Sequence, residues 1–180
     1  MKLISLRLLV LLVGTVLPLL AAASNKFATA TYRDPDGALH FSMPEGWKVH
    51  TGEANGQPQW KVRPRKADER ERAAIRISIV LRPMARKESL ERISRQLKAP
   101  KGGREPAINL QHHTRLGRLT AEYREGQFVT GGLWLVRHYV VTYQKIGKLM
   151  IEASCSSTDA EYRHYRQQLN LVCGSVKAGR

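Results

Sequence analysis

The chain has 180 residues, with 30 Lys and Arg against 15 Asp and Glu for a formal charge of +15, and 42% of it is hydrophobic. That size and apolar content suit one domain with a proper core, and the lack of low-complexity tracts or a long-period repeat excludes a solenoid or propeller. The charge excess makes acidic macromolecules, phosphates and anionic headgroups the expected contacts.

Met1-Lys2 and Arg7 precede an apolar run from Leu8 to Leu20, broken only by Gly14, Thr15 and Pro18. Ala21-Ala22-Ala23 then supplies small residues at a processing site before Ser24. This is the pattern of a cleaved secretory signal over residues 1–23, with an apolar core too short for a comfortable membrane span. No cysteine follows to carry a lipid, and a retained N-terminal anchor is the alternative. Residues 24–180 are expected to form a single domain in the periplasm or released from the cell, with no transmembrane segment. They hold 28 basic and 15 acidic residues, a charge of +13. Of these, 15 basic and 5 acidic residues fall within residues 61–104, so +10 sits in less than a third of the mature chain.

In chain order, residues 26–33 alternate weakly as a first strand, and Asp34-Pro35-Asp36-Gly37 has the chemistry of a type I turn. Leu39, Phe41 and Met43 alternate with Ala38, His40 and Ser42 as a strand with one apolar face. Pro44-Glu45-Gly46 breaks it, Trp47 and Val49 restart it, and after a loop over residues 52–58 the alternation returns in Trp60 and Val62. Residues 64–72 read as a charged loop. Ile75, Ile77, Ile79 and Leu81 mark the clearest strand, opposed by Arg76, Ser78 and Arg82 and ended by Pro83. Over residues 89–98 the period becomes helical, with Leu90, Ile93 and Leu97 on one stripe and Glu88–Arg92 and Glu91–Arg95 as i,i+4 pairs. Pro100-Lys101-Gly102-Gly103 stops the helix.

The second half predicts strands over residues 108–114, 118–123, 133–143 and 149–155, divided by Gly117, by Gly126 with Gly131-Gly132, and by Gly147. Residues 133–136 are apolar on both faces, the pattern of a central strand covered on both sides. Trp47, Trp60 and Trp134 share registers with apolar residues and are expected in the interior. Thr158-Asp159-Ala160-Glu161 reads as a capping box, and Tyr162, Tyr165, Leu169, Val172 and Cys173 as one helical stripe that Gly174 ends. The sum is an α+β fold, an antiparallel sheet of about seven strands packed with one mid-chain and one C-terminal helix.

The segment Phe41-Ser42-Met43-Pro44-Glu45-Gly46-Trp47, where a strand ends in Pro and restarts at Trp, resembles the PsbP-like α/β/α sandwich superfamily. The resemblance continues through the strand of residues 75–81, the helix led by Ser89-Leu90-Glu91, the Gly-bearing meander and the Tyr-rich closing helix. Bacterial relatives of that group include DcrB-type envelope proteins. The resemblance spans nearly all of the mature chain. It implies an accessory or binding role and transfers no active-site residue.

Two cysteines in an exported chain read as one disulfide. Cys155 ends the last strand and Cys173 lies on the core stripe of the following helix, so a Cys155–Cys173 bond would tie that helix to the sheet. A thiol nucleophile served by His164, or a zinc site from Cys155, His164 and Cys173, is the alternative. With Tyr162 at 0°, Cys173 falls at about 20° and His164 at about 200°, which turns the imidazole away. His112 and His113 are strand neighbours pointing to opposite faces, which disfavours joint chelation. Asp34 and Asp36 belong to a turn, Asp159 and Glu161 to a helix start, and Glu122 and Glu152 to surface pairs. Gly-x-Ser-x-Gly and phosphate-cradling glycine loops are both missing. No catalytic residue, metal or cofactor is therefore expected.

The basic segment carries the functional argument. Lys61, Arg63 and Arg65 alternate along a strand and its exit, Lys66, Arg70 and Arg72 follow in the loop, and Arg92 and Arg95 decorate the helix. Arginine predominates, and its planar fork suits carboxylate and phosphate. These residues are the candidate contacts to an acidic protein or anionic envelope component; the export signal and the absence of a nucleic-acid motif argue against nucleic acid. The leading expectation is a non-enzymatic envelope binding protein. A periplasmic immunity or inhibitor protein and a hydrolase with an unrecognised site are the alternatives, and the oligomeric state is open.

Overall fold

The computed structural model describes residues 27–64 and 74–179, so the expected signal over residues 1–23 lies outside the described residues. Strict alternation builds most of the architecture. β3 (Trp47–Ala54), β4 (Gln57–Pro64), β5 (Ile75–Pro83), β6 (Ile108–His113), β7 (Arg118–Phe128), β8 (Trp134–Ile146) and β9 (Leu149–Thr158) form one antiparallel sheet in the order β3-β4-β5-β9-β8-β7-β6. A second sheet, ordered β1-β2-β10, joins β1 (Thr29–Arg33), β2 (Leu39–Pro44) and β10 (Lys177–Ala178). Two α-helices lie wholly among the described residues, α1 (Leu90–Lys98) and α2 (Tyr162–Ser175).

The period-2 pattern sends Ile75, Ile77 and Ile79 to the same face as their cross-strand partners Ser157, Cys155 and Ala153. Against that face pack Leu39 and Phe41 of the small sheet and Tyr165, Leu169, Val172 and Cys173 of α2, all buried. The opposite face is covered at one side by α1, which lays Leu90, Ile93 and Leu97 on Leu119, Ala121, Val141 and Met150. Ser89 caps α1 by accepting the Arg92 amide at 3.2 Å. The result is an α/β/α sandwich, and the α+β architecture read from periodicity is the one found. The Phe41-to-Trp47 element is its corner. Phe41 is buried under α2, and the chain turns through Gly46, at φ +82°, out of the small sheet into β3.

The disulfide forms between Cys155 and Cys173, both fully buried. His164 is exposed on the other side of α2, as the helical angles require. Several local expectations give way. The loop over residues 52–58 is instead a tight hairpin, because Asn55 (φ +53°) and Gly56 (φ +72°) form a two-residue turn whose left-handed backbone matches the strand twist. Gly126 does not interrupt β7; it sits inside the strand, where any side chain would collide with the Trp134 indole. The Thr158 side chain makes no capping bond, a 3-10 turn over Asp159–Glu161 intervenes, and Asp159 accepts instead from His138. Gly174 lies within α2, which runs on to Ser175. Glu88 pairs not with Arg92 but with Arg82 of β5 at 2.6 Å, and Glu91 faces His112 at 3.8 Å.

The tryptophans divide. Trp60 is buried, Trp47 is half-buried against the same core, and Trp134 is 54% exposed, contrary to the expected interior position. The pattern of residues 133–136 is apolar on both faces, yet Leu133 and Trp134 precede the first row in which β8 meets β9, Arg137 opposite Thr158. The strand is central only from that row onward. Trp134→Ala is accordingly expected to cost no more than about 1 kcal/mol, a surface value plus a modest ring–ring contribution. Urea unfolding measures this, and a loss near 3 kcal/mol would place the indole in a core.

Candidate functional site

On the face of the large sheet that carries α1, the part that the helix leaves uncovered is basic over β3, β4 and β5. Trp60 and Val62 turn into the core, so Lys61 and Arg63 stand exposed on the other side of β4. Strand pairing adds two residues remote in sequence. Lys48 of β3 lies directly opposite Arg63, and His50 opposite Lys61. Ser78 of β5 lies opposite Lys61, which brings Arg76, two positions along and exposed, to the same end of the face as Arg63. Four cations thus come from three adjacent strands. Among the described residues of these strands this face has no carboxylate, since Glu53 of β3 falls in the register of Trp47 and Val49 on the opposite side.

The face is bounded on two sides. Towards its centre lies Arg137 of β8, fully buried, donating to Ser156 Oγ at 3.2 Å and to the Ala74 carbonyl at 2.7 Å. Burial, and then the nearby Arg76 charge, push the Arg137 guanidinium down to about 10. Beyond it Tyr139 stacks on Tyr123 at 4.9 Å, with the Arg104 guanidinium 5.7 Å over the Tyr123 ring. At the other boundary Arg82 donates to Glu88 at 2.6 Å and to Glu152 at 2.9 Å. These contacts hold Glu88 below the usual carboxylate range and Arg82 above the usual guanidinium range. Arg82 is therefore committed to its own carboxylates, whereas Lys48, Lys61, Arg63 and Arg76 face outward.

The residues singled out by linear charge density do not all meet here. Lys61 and Arg63 do. Arg92 and Arg95 are exposed on the outer side of α1, which packs over β6 and β7 on the same face of the sheet but at its other edge. Arg65, Lys66, Arg70 and Arg72 lie outside the described residues. Lys48 and Arg76 were missed as site residues. Arg76 was legible as the polar face of its strand, while Lys48 needed the pairing of β3 with β4.

His138 Nε2 lies 2.5 Å from Asp159 Oδ1, and its ring stacks on Tyr162 at 4.1 Å. This acid-oriented imidazole was not foreseen, because β8 and the turn before α2 meet only in three dimensions. Ser157, opposite His138 in the register, is fully buried and its Oγ donates to the Thr158 carbonyl at 3.3 Å, so it is not presented as a nucleophile. Among the described residues, no group of three or more His, Cys, Asp or Glu is arranged to hold a metal ion. No helix among them is long and apolar enough to cross a membrane.

No family model matches the chain, and no curated protein does. Solved structures do match. The Ran-binding protein Mog1p of Saccharomyces cerevisiae is similar over 84% of this chain and 96% of its own, at 13% identity and a TM-score of 0.54. LpqN of Mycobacterium tuberculosis, involved in cell envelope biogenesis, is similar over 85% and 91%, at 11% identity and a TM-score of 0.53. The chain shares their fold. A cyanobacterial PsbP from Synechocystis also matches, over 87% and 95%, at 16% identity and a TM-score of 0.49. The α+β sandwich expected from the sequence is the architecture that the chain shares with Mog1p and LpqN. At these identities the likeness speaks to architecture and not to a shared site.

Proposed function

We propose that the chain is an exported, non-enzymatic accessory protein of the cell envelope that binds an acidic partner protein through the β3–β5 face. The observation that carries this reading is the convergence of Lys48, Lys61, Arg63 and Arg76 on one exposed sheet surface without a neighbouring carboxylate on those strands. Three other features support it. The buried Cys155–Cys173 bond suits an oxidising compartment, which agrees with the signal-like start. The acid-oriented His138 has a buried hydroxyl opposite it rather than an exposed nucleophile, which favours binding over turnover. The shared architecture includes a Ran-binding protein and a protein of envelope biogenesis, roles of the same broad kind.

Attraction of this type acts mainly on association rate and fades as salt shortens the screening length to about 8 Å at physiological ionic strength. The test is elution from a polyglutamate resin with rising salt. The variant Lys48→Glu/Lys61→Glu/Arg63→Glu/Arg76→Glu should elute well before Arg33→Glu/Arg163→Glu/Arg166→Glu/Lys177→Glu, which carries the same net charge. The latter four side chains are exposed on the small sheet and α2, across the molecule. Equal losses would mean that net charge alone governs retention and would overturn the assignment of the face.

A further inference from the structure

The β7–β8 hairpin projects past both of its neighbours. β8 last meets β9 at Arg137 opposite Thr158, and β7 last meets β6 at Glu122 opposite Ile108. Outward from there a bridge joins Arg104 to Glu125, and the Gly126 amide donates to the Gly103 carbonyl. The rows Gly126–Val136, Gln127–Leu135 and Phe128–Trp134 then continue as a two-stranded ribbon. Trp134 stands three residues beyond the last β9 row, roughly 10 Å out at the usual rise per residue.

Residues 127–136 carry no charge. Phe128 is 74% exposed, Leu133 69% and Trp134 54%, which gathers three large apolar side chains on one protrusion. Such clustering, unlike a scattered exposed leucine, marks a contact surface. The two rings meet edge to face at 4.8 Å, and the indole rests over Gly126, so the pair is ordered without an outside partner. At the base of the ribbon, Lys98, Lys101 and Arg104 come from the end of α1 and the loop after it, with Arg124 on β7 itself. The acids here are Glu105, Glu125 and Asp159, and two of them, Glu105 and Asp159, already lie 3.4 Å from Arg124. Arg63 and Arg76 stand at this same end of the sheet.

We propose that this hairpin tip docks into the surface of an anionic phospholipid bilayer. Tryptophan and phenylalanine favour the boundary between headgroups and acyl chains, where an apolar body meets a polar layer. A convex protrusion suits a soft bilayer, which requires depth of insertion and not a complementary cavity. The cations around its base complement anionic headgroups, and such attraction adds to apolar insertion. The two contributions are separable. The aromatic tip sets depth and the basic surround sets lipid preference. This inference does not depend on an acidic protein partner for the β3–β5 face.

Sedimentation with vesicles tests it, using phosphatidylcholine alone and phosphatidylcholine mixed with phosphatidylglycerol. The parent chain should bind the mixed vesicles and leave the neutral ones. Phe128→Ser/Leu133→Ser/Trp134→Ser should weaken that binding by about tenfold or more, because insertion scales with apolar area, while still eluting from polyglutamate like the parent. Acyl chains brominated near the headgroup should quench tryptophan emission in the parent and not in Trp134→Phe, a readout on a single exposed side chain. Failure of the parent to bind mixed vesicles would overturn the proposal, as would undiminished binding by the triple variant or quenching that persists in Trp134→Phe. Capture by protein alone, without vesicles, would assign the tip to a protein partner and overturn it equally.

Discussion

Replacing Trp60 by alanine is expected to destabilise the chain by about 3–5 kcal/mol, the range for an aromatic removed from a packed core. Trp60 is 4% exposed and shares a core with Leu39 and Phe41 of the small sheet and Ile79 of β5. Its indole Nε1 donates to Asp34 Oδ1 at 2.9 Å, while Asp34 Oδ2 accepts the Ala38 amide at 3.1 Å. Asp34 is itself buried, so one side chain of β4 both fills the core and satisfies a carboxylate that organises the β1–β2 turn. Loss of a bond to a charged group costs about 1.5–3 kcal/mol, so Trp60→Phe separates the two contributions: it keeps most of the volume and loses only the donor. Urea unfolding of the two variants beside the parent measures both. An alanine variant within 1 kcal/mol of the parent, taken as roughly the floor for a core change, would show that the small sheet is not docked through this residue.

Much of this architecture was legible because period carries burial. Ile75, Ile77 and Ile79 alternate, and Leu90, Ile93 and Leu97 recur at helical spacing, so strand β5 and helix α1 could be assigned with their buried faces. The failures share a cause. Residues 133–136 have the composition of a covered central strand, but covering depends on how far β9 and β6 extend beside β8, which no local pattern encodes. Gly126 looked like a break because the Trp134 ring that requires it lies across the ribbon. Thr158 and Glu161 matched a capping box, yet His138 competes for Asp159 from another strand and the segment winds as a 3-10 turn. β10, two residues long, is a strand only through its pairing with β2.

The basic face was half legible for the same reason. Alternation in β4 sufficed to put Lys61 and Arg63 on one side. Charge density along the chain also drew in Arg92 and Arg95, because they are near in sequence, although α1 carries them to the far edge of the sheet. It passed over Lys48, which lies outside the dense segment and reaches the face through the β3–β4 hairpin. That hairpin was itself hidden when Asn55-Gly56 was read as part of a loop. A two-residue turn with both residues at positive φ fixes the register, and the register is what sets Lys48 opposite Arg63.

Converting Cys155 and Cys173 together to alanine is expected to cost about 3 kcal/mol, which for a domain of this size lowers Tm by roughly 6–12 °C. The bond spans 18 residues, from β9 through the 3-10 turn into the last turns of α2, and so restrains a segment that must otherwise find its place on the sheet unaided. Other contacts hold the same helix. Arg118, buried and with its guanidinium pushed down by that burial, donates to the Val176 and Gly174 carbonyls at 2.6 Å each. Thr142 Oγ1 donates to the Cys173 carbonyl at 2.8 Å. Together with the buried Leu169 and Val172, these bonds should keep α2 docked in the variant, so the fold survives with a lower melting point. Thermal unfolding of oxidised parent, reduced parent and variant decides the matter: the reduced parent should melt near the variant, and the variant should not respond to reductant. A variant that melts with the oxidised parent would show that Arg118, Thr142 and the apolar stripe suffice to anchor the helix. A variant that fails to fold would show that the closed loop is what allows them to form.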